Sequence, residues 1–279
     1  MVNHFILSAQ LTFLTTFFLG IFVLLRGGWK SNLYKVFSAY SFSIALWSFC
    51  VAKHVPTLTG EVAIWWGRFL HLGAILIPVF FLHFICIFLG ISAQKKLKVV
   101  YLIATIFIFF NFLSNLLING IVYKSSYCYP KPAMLYPLFF VFFASCITYG
   151  LYQLYIAYRK SSGIKQNQLK YLFWASLVGY FGGMDNFLIT IDIELSPLYP
   201  FGAYAIPIYV VLTTYAIVKY QLMDINIVIK KGTVYTYLSF LILLPCMVFI
   251  IFAQRFFFGK INYVFSSLVF VVLLLSAIV

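Results

Sequence analysis

The chain is predicted to be an all-α, polytopic membrane helix bundle, a seven-helix unit plus two further spans, and three observations predict it. Of its 279 residues 64% are apolar and only 9% charged, against roughly 45–50% apolar and about 25% charged in a soluble domain. The charges come in short clusters between long apolar runs. Most of those runs reach the roughly 17–25 residues that a helix needs to cross a hydrocarbon core. Inside lipid a backbone must satisfy its own polar groups, and runs this long and uniformly apolar lack the alternation of barrel strands, so they are helices.

Nine spans follow in order, at residues 5–25, 36–52, 69–94, 99–123, 132–158, 171–191, 195–218, 232–254 and 261–279. Met1 to His4 carry no Lys or Arg and no small-residue cleavage pattern follows the first run, so that run is a span and not a removed signal peptide. Residues 1–230 hold the seven-helix domain and 231–279 the two extra helices. The last span ends at Val279 without a polar flank, which is read as a chain cut before a cytoplasmic output.

The net charge of +14 does not point to nucleic acid, because the basic residues form no continuous stripe. They set orientation instead. Arg26, Lys30, Lys35, Lys95, Lys96, Lys98, Arg159, Lys160, Lys165, Lys170, Lys219, Lys230 and Lys231 all fall on one side of the predicted topology. Lys53, Arg68, Lys124, Lys131, Arg255 and Lys260 fall on the other, diluted by Glu61, Asp192 and Glu194. The positive-inside rule therefore puts the first set in the cytoplasm, with the N-terminus outside and the C-terminus inside.

Five cysteines show neither C-x-x-C nor a Cys/His metal spacing, so no metal site is expected. Four lie in apolar runs as small hydrophobes; Cys128 lies in a polar loop, where a disulfide to Cys50 is compatible with this topology. No cofactor motif appears: there is no G-x-x-x-x-G-K-[ST] loop, no H-E-x-x-H and no G-x-S-x-G elbow, and no lysine inside span seven for a retinal Schiff base.

Ionisable and amide side chains inside a membrane are costly and mark candidate sites. Arg68 and His71, three apart, share a face at the outer end of span three; Asn111 and Asn115, four apart, share one in span four. Asp185 and Asn186 lie in the outer half of span six. If spans three, four and six are neighbours, these six residues line a ligand cavity open to the outside, bordered by Trp65, Trp66 and Tyr180. Against this, Trp65, Trp66 and Arg68 also fit an interfacial belt with a snorkelling cation, and asparagines also glue helices together. His83 reads as a packed histidine hydrogen-bonded to a neighbour. Ala175, Gly179 and Gly183 form a small-xxx-small ridge for close helix approach, and Pro78 and Pro207 are expected to bend spans three and seven. The segment 219–232, KYQLMDINIVIKKG, is either an interfacial connector or a lysine-anchored loop.

Three stretches together resemble the seven-transmembrane N-terminal sensor region of bacterial histidine kinases. They are WWGRFLHLGAILIPVFFLHF, with Trp65, Arg68, Pro78 and Phe84; RKSSGIKQNQLKYL, leading to Gly182 and Asn186; and YAIVKYQLMDI, ending in Asp224 and Ile225. The resemblance covers about residues 5–230. It implies a receptor in a bacterial cytoplasmic (inner) membrane that detects an unknown small-molecule or membrane signal. It also implies a homodimer whose connector, Lys219, Tyr220, Asp224 and Ile225, relays that signal to a kinase output supplied in cis or trans. The chain itself carries no H-E-x-x-x-P phosphoacceptor motif, since Phe84 and Ile85 follow His83, and no ATP-binding glycine lid, so it is not read as an enzyme. The alternative is a transporter or channel subunit with a polar path through spans three, four and six.

Overall fold

In lipid a helix is the cheapest way to satisfy a long apolar run, and each of the first seven predicted spans overlaps one. The computed structural model describes residues 4–27, 31–54, 61–124, 127–190 and 202–220. In chain order the elements are α1 (His4–Gly27), α2 (Asn32–His54), α3 (Glu61–Phe88), α4 (Gln94–Leu113), β1 (Ile118–Lys124), β2 (Tyr127–Pro132), α5 (Tyr136–Lys160), α6 (Gly163–Gly183), the short α7 (Asp185–Thr190) and, after a 3-10 turn at Gly202–Tyr204, α8 (Ala205–Tyr220). They belong to one compact unit, Asn3–Ile225. Predicted spans eight and nine lie outside the described residues.

Helices α1 to α5 are each long and apolar enough to cross a membrane, and α8 is apolar over the shorter stretch Ala205–Ala216. Helix α4 shows why lipid is the solvent: Val99, Leu102, Ile106, Phe109 and Leu113 recur along one side of it and are exposed. In water such a stripe would be an unmet hydrophobic face; in a bilayer it is the solvated one.

Several boundaries differ from those read in the sequence. Span three was expected to begin after Arg68, but α3 runs eight residues further back, to Glu61, because the Arg68 guanidinium finds partners within the fold. Helix α3 ends in a Schellman arrangement: Ile91 N–H bonds to Cys86 C=O at 2.8 Å and Gly90 N–H to Ile87 C=O at 3.0 Å, with Gly90 at φ +67°, a backbone that glycine adopts without steric cost. Span four was expected to reach Tyr123, but α4 stops at Leu113 and an antiparallel hairpin follows, pairing Ile121 with Pro130, Val122 with Tyr129 and Tyr123 with Cys128. β-branched Ile118, Ile121 and Val122 suit a strand, and the register slips between Ile118 and Ile121, where Gly120 sits at φ +148°. Helix α6 begins at Gly163 rather than 171 and ends at Gly183, so the predicted sixth span is broken before Asp185. Pro207 does not bend a helix: it sits in the first turn of α8, where its N–H would have no intrahelical partner anyway. Pro78 does lie inside α3, buried.

Packing uses small residues at the crossings, as expected where close approach replaces the hydrophobic effect. A Cβ on Gly73 would come within 2.7 Å of the Trp47 backbone nitrogen, and one on Gly20 within 2.8 Å of the Phe42 ring. Ser38 donates across from α2 to the Gly20 carbonyl at 2.9 Å. The predicted ridge on α6 packs on α8: a Cβ on Gly179 would sit 2.9 Å from Tyr209 Cβ, and Ala175 is fully buried. One core cluster joins α3, α4 and α5 through Ile75, Val79, Leu82, Phe107, Phe139 and Cys146.

Candidate functional site

Of the six polar residues predicted to share one cavity, those whose side chains are described fall into two groups. Arg68, two turns into α3, donates to the carbonyl oxygens of Phe112 and Ser114 and to Asn115 Oδ1 at 3.0 Å, and lies 5.3 Å from the Trp65 ring centre. Asn111, fully buried, donates through Nδ2 to the Arg68 carbonyl at 2.8 Å. The last carbonyls of a helix lack intrahelical donors and attract a cation, so Arg68 caps α4. Its Nε and Asn111 Oδ1 stay buried without a partner. Asn115 lies past the end of α4, exposed.

His71 points elsewhere. Its Nδ1 donates to the Gly67 carbonyl at 2.8 Å, and its ring packs edge-on against Tyr136 and Phe139. It borders a small cavity of about 40 Å³ together with His54, Cys128, Asn186 and Thr190. Asp185 is the first residue of α7; Asn186 follows it, its Nδ2 3.4 Å from the Gly183 carbonyl. Arg68 and His71 thus face different neighbours, Arg68 the end of α4 and His71 the small cavity beside α7. Lys219 and Tyr220 end α8, while Asp224 and Ile225 lie outside the described residues.

The Cys50–Cys128 disulfide is not formed: both thiols are reduced and buried. Cys128 is not in an open loop but in β2, against His54. Because the Ala63 carbonyl can only accept, His54 Nδ1, 2.9 Å away, carries the ring proton. The Nε2 lone pair then faces Cys128 Sγ at 3.8 Å, and burial pushes the Cys128 thiol pKa up. His83 is the packed histidine expected, with Nδ1 2.8 Å from the Tyr101 hydroxyl.

A second, larger space went unseen in the sequence. A cavity of about 260 Å³ lies among α2, α3, α5, α6, α7 and α8. Tyr40 and Tyr180 meet there, hydroxyl to hydroxyl, at 3.0 Å, and Tyr209 stands edge-on to Tyr40 with ring centres 6.3 Å apart. Ser176, 1% exposed, lines the same space, and its hydroxyl has no partner. Apart from Thr148 the remaining wall is largely apolar, with Ile44, Trp47, Ile77, Phe143 and Phe187 prominent. The signal that could have found it is the coincidence of small residues on α5 and α6, Ala144, Gly179 and Gly183, with tyrosines on α2, α6 and α8.

At the far end of the bundle the basic residues gather. Lys96 reaches the Tyr149 hydroxyl at 3.3 Å, tying the start of α4 to α5, and Lys165 lies 4.2 Å from the Phe88 ring centre, tying the start of α6 to the end of α3. Helices, hairpin and basic end together define a multi-pass helical membrane protein. A family model described as the N-terminal 7TM region of histidine kinase matches residues 9–226, and the chain belongs to that family. The matched region is the sensory part of such proteins, not a catalytic domain. Among curated proteins and solved structures nothing matches.

Proposed function

We propose that this chain is the input module of a sensor kinase, seated in a bacterial cytoplasmic membrane with the N-terminus and the hairpin outside and the lysine-rich helix ends in the cytosol. It registers a small-molecule or membrane signal in its helix bundle and hands it to a histidine-kinase output, in cis or in trans, most simply as a homodimer. The observation that carries this is the family match, which ends at residue 226, just past α8. A transmitted signal would leave by that route, through Lys219, Tyr220, Asp224 and Ile225. The clustering of Lys95, Lys96, Arg159, Lys160 and Lys165 at helix ends supports the orientation.

A signal can shift such a bundle only by the difference in its affinity for two packings. The test has two arms. A cysteine placed at Ser161, in the connection between α5 and α6, should be labelled by a membrane-impermeant maleimide only in inverted vesicles; labelling in intact cells would refute the orientation. In the source cell, an in-frame deletion of residues 61–124 should abolish stimulus control of a histidine kinase encoded with this chain. Solute uptake by proteoliposomes containing the chain alone would favour the transporter reading.

A further inference from the structure

We infer that the cavity among α2, α3, α5, α6, α7 and α8 is a binding site for an uncharged, medium-chain amphiphile, with its single polar group against Ser176 and the tyrosine cluster and its chain along the apolar wall. This deepens the sensory reading above and rests on it for the consequence of binding, though not for binding itself.

Size comes first. Protein interiors leave few voids larger than a water molecule, and an apolar cavity of about 150 Å³ is enough to take up benzene. The space here is about 260 Å³, which suits a molecule of roughly ten to fifteen non-hydrogen atoms on that scale. Glycines keep it open: a Cβ on Gly183 would meet only one atom, Ile206 Cδ1 at 3.7 Å.

Chemistry comes second. No Lys, Arg, Asp or Glu is among the described lining residues, so a charged ligand would meet no counter-ion in a setting where an unpaired charge is expensive. The polar groups are hydroxyls. Ser43 and Ser48 return their hydroxyls to the carbonyls four residues back, at 2.8 and 2.9 Å, the usual resort of a serine in a helix. Ser176 does not, and a buried hydroxyl left unpaired is unfavourable. A ligand hydroxyl or carbonyl would satisfy it.

Access comes third. Phe181 and Met184 line the cavity yet are 67% and 42% exposed, so the mouth opens sideways on the lipid-facing side of α6. A ligand that first dissolves in the bilayer can enter there. Two sources share this chemistry: a diffusible amphiphile, and the acyl chain of a bilayer lipid.

The experiment uses the intact 279-residue chain in nanodiscs and a homologous series of terminally brominated n-alkanols, with bromine as a contact quencher of Trp47. The site predicts saturable quenching with an optimum chain length, absent in Trp47→Phe and abolished when Ala144→Phe fills the space. Ser176→Ala, which leaves the volume unchanged, should weaken alkanol binding roughly five- to tenfold, the worth of one hydrogen bond, and leave a bromoalkane of equal length unaffected. Quenching that rises linearly with probe content and shows no optimum would overturn the assignment. So would quenching from acyl-brominated phosphatidylcholine that the alkanol cannot displace, which would make lipid the occupant. Equal alkanol affinity in Ser176→Ala, shown folded by circular dichroism, would overturn it too. None of these readouts involves a kinase, so loss of the signalling proposal and loss of this one are separately visible.

Discussion

The Arg68 guanidinium on α3 donates to the Phe112 carbonyl on α4, so one side chain two turns into a helix closes the end of its neighbour. Ser114 and Asn115 supply its further acceptors. Hydrogen bonds from a charged donor are worth about 1.5–3 kcal/mol each, discounted here because the group is only half-buried. Arg68→Leu should therefore cost about 2–3 kcal/mol of stability in detergent-mediated unfolding. Arg68→Lys, a point charge unable to bridge a fork of acceptors, should recover only part of it. Unchanged unfolding midpoints in both variants would show that Arg68 is no cap and return it to the role of interfacial anchor.

Arg68 also explains what the sequence made legible and what it hid. Length and polarity were enough to place seven helices, because lipid leaves a long apolar run no other structure. The ends were not: a lone arginine looks like a boundary unless the carbonyls it will meet, 44 residues on, are known. The stretch LLINGIVY after α4 is as apolar as a span, and only its pairing with Tyr127–Pro132 makes it a strand. The candidate ligands were read from polarity alone, which located Arg68, His71 and the asparagines but could not say which neighbour each faces. The cavity is defined by absent volume at Gly179, Gly183 and Ala144, and absence of side chains carries no polar signal.

The Tyr40–Tyr180 pair should behave as one unit. Either Tyr→Phe change breaks the 3.0 Å contact and should cost about 1 kcal/mol. The double variant should cost about the same as one, giving a coupling energy near 1 kcal/mol. Strict additivity in the double-mutant cycle would mean that the two hydroxyls do not depend on each other.

Adjacent glycines on α6 should respond oppositely to alanine. A Cβ on Gly182 would lie 2.2 Å from Ala205 Cβ and 2.4 Å from the Gly202 carbonyl oxygen; backbone cannot swing aside, so Gly182→Ala should cost about 1–3 kcal/mol through overpacking. On Gly183 the same atom meets Ile206 at 3.7 Å, ordinary contact. Gly183→Ala should be neutral or gain up to about 1 kcal/mol from helix propensity. Thermal unfolding of the two variants side by side decides it, and equal midpoints would mean that α6 and α8 are not packed as described.

Cys128 ties stability to alkaline pH through its buried place in β2. Burial raises its thiol pKa in the folded chain, while the unfolded chain keeps the ordinary value of about 8.5. Below that value both states hold the proton and the contribution is fully present. As pH rises past it, the unfolded state releases its proton first, so folding loses stability until the folded thiol also ionises, by at most about 1.4 kcal/mol per pH unit. The comparison that isolates this is wild type against Cys128→Ala. Their difference in unfolding free energy should stay constant below about pH 8 and shift against wild type between roughly pH 8.5 and 10. The same burial withholds the thiolate, the reactive form, so folded Cys128 should react with maleimide at pH 7 at least about tenfold more slowly than in denaturant. A difference that stays flat to pH 10, together with rapid labelling of the folded chain, would place this thiol in water and detach it from His54.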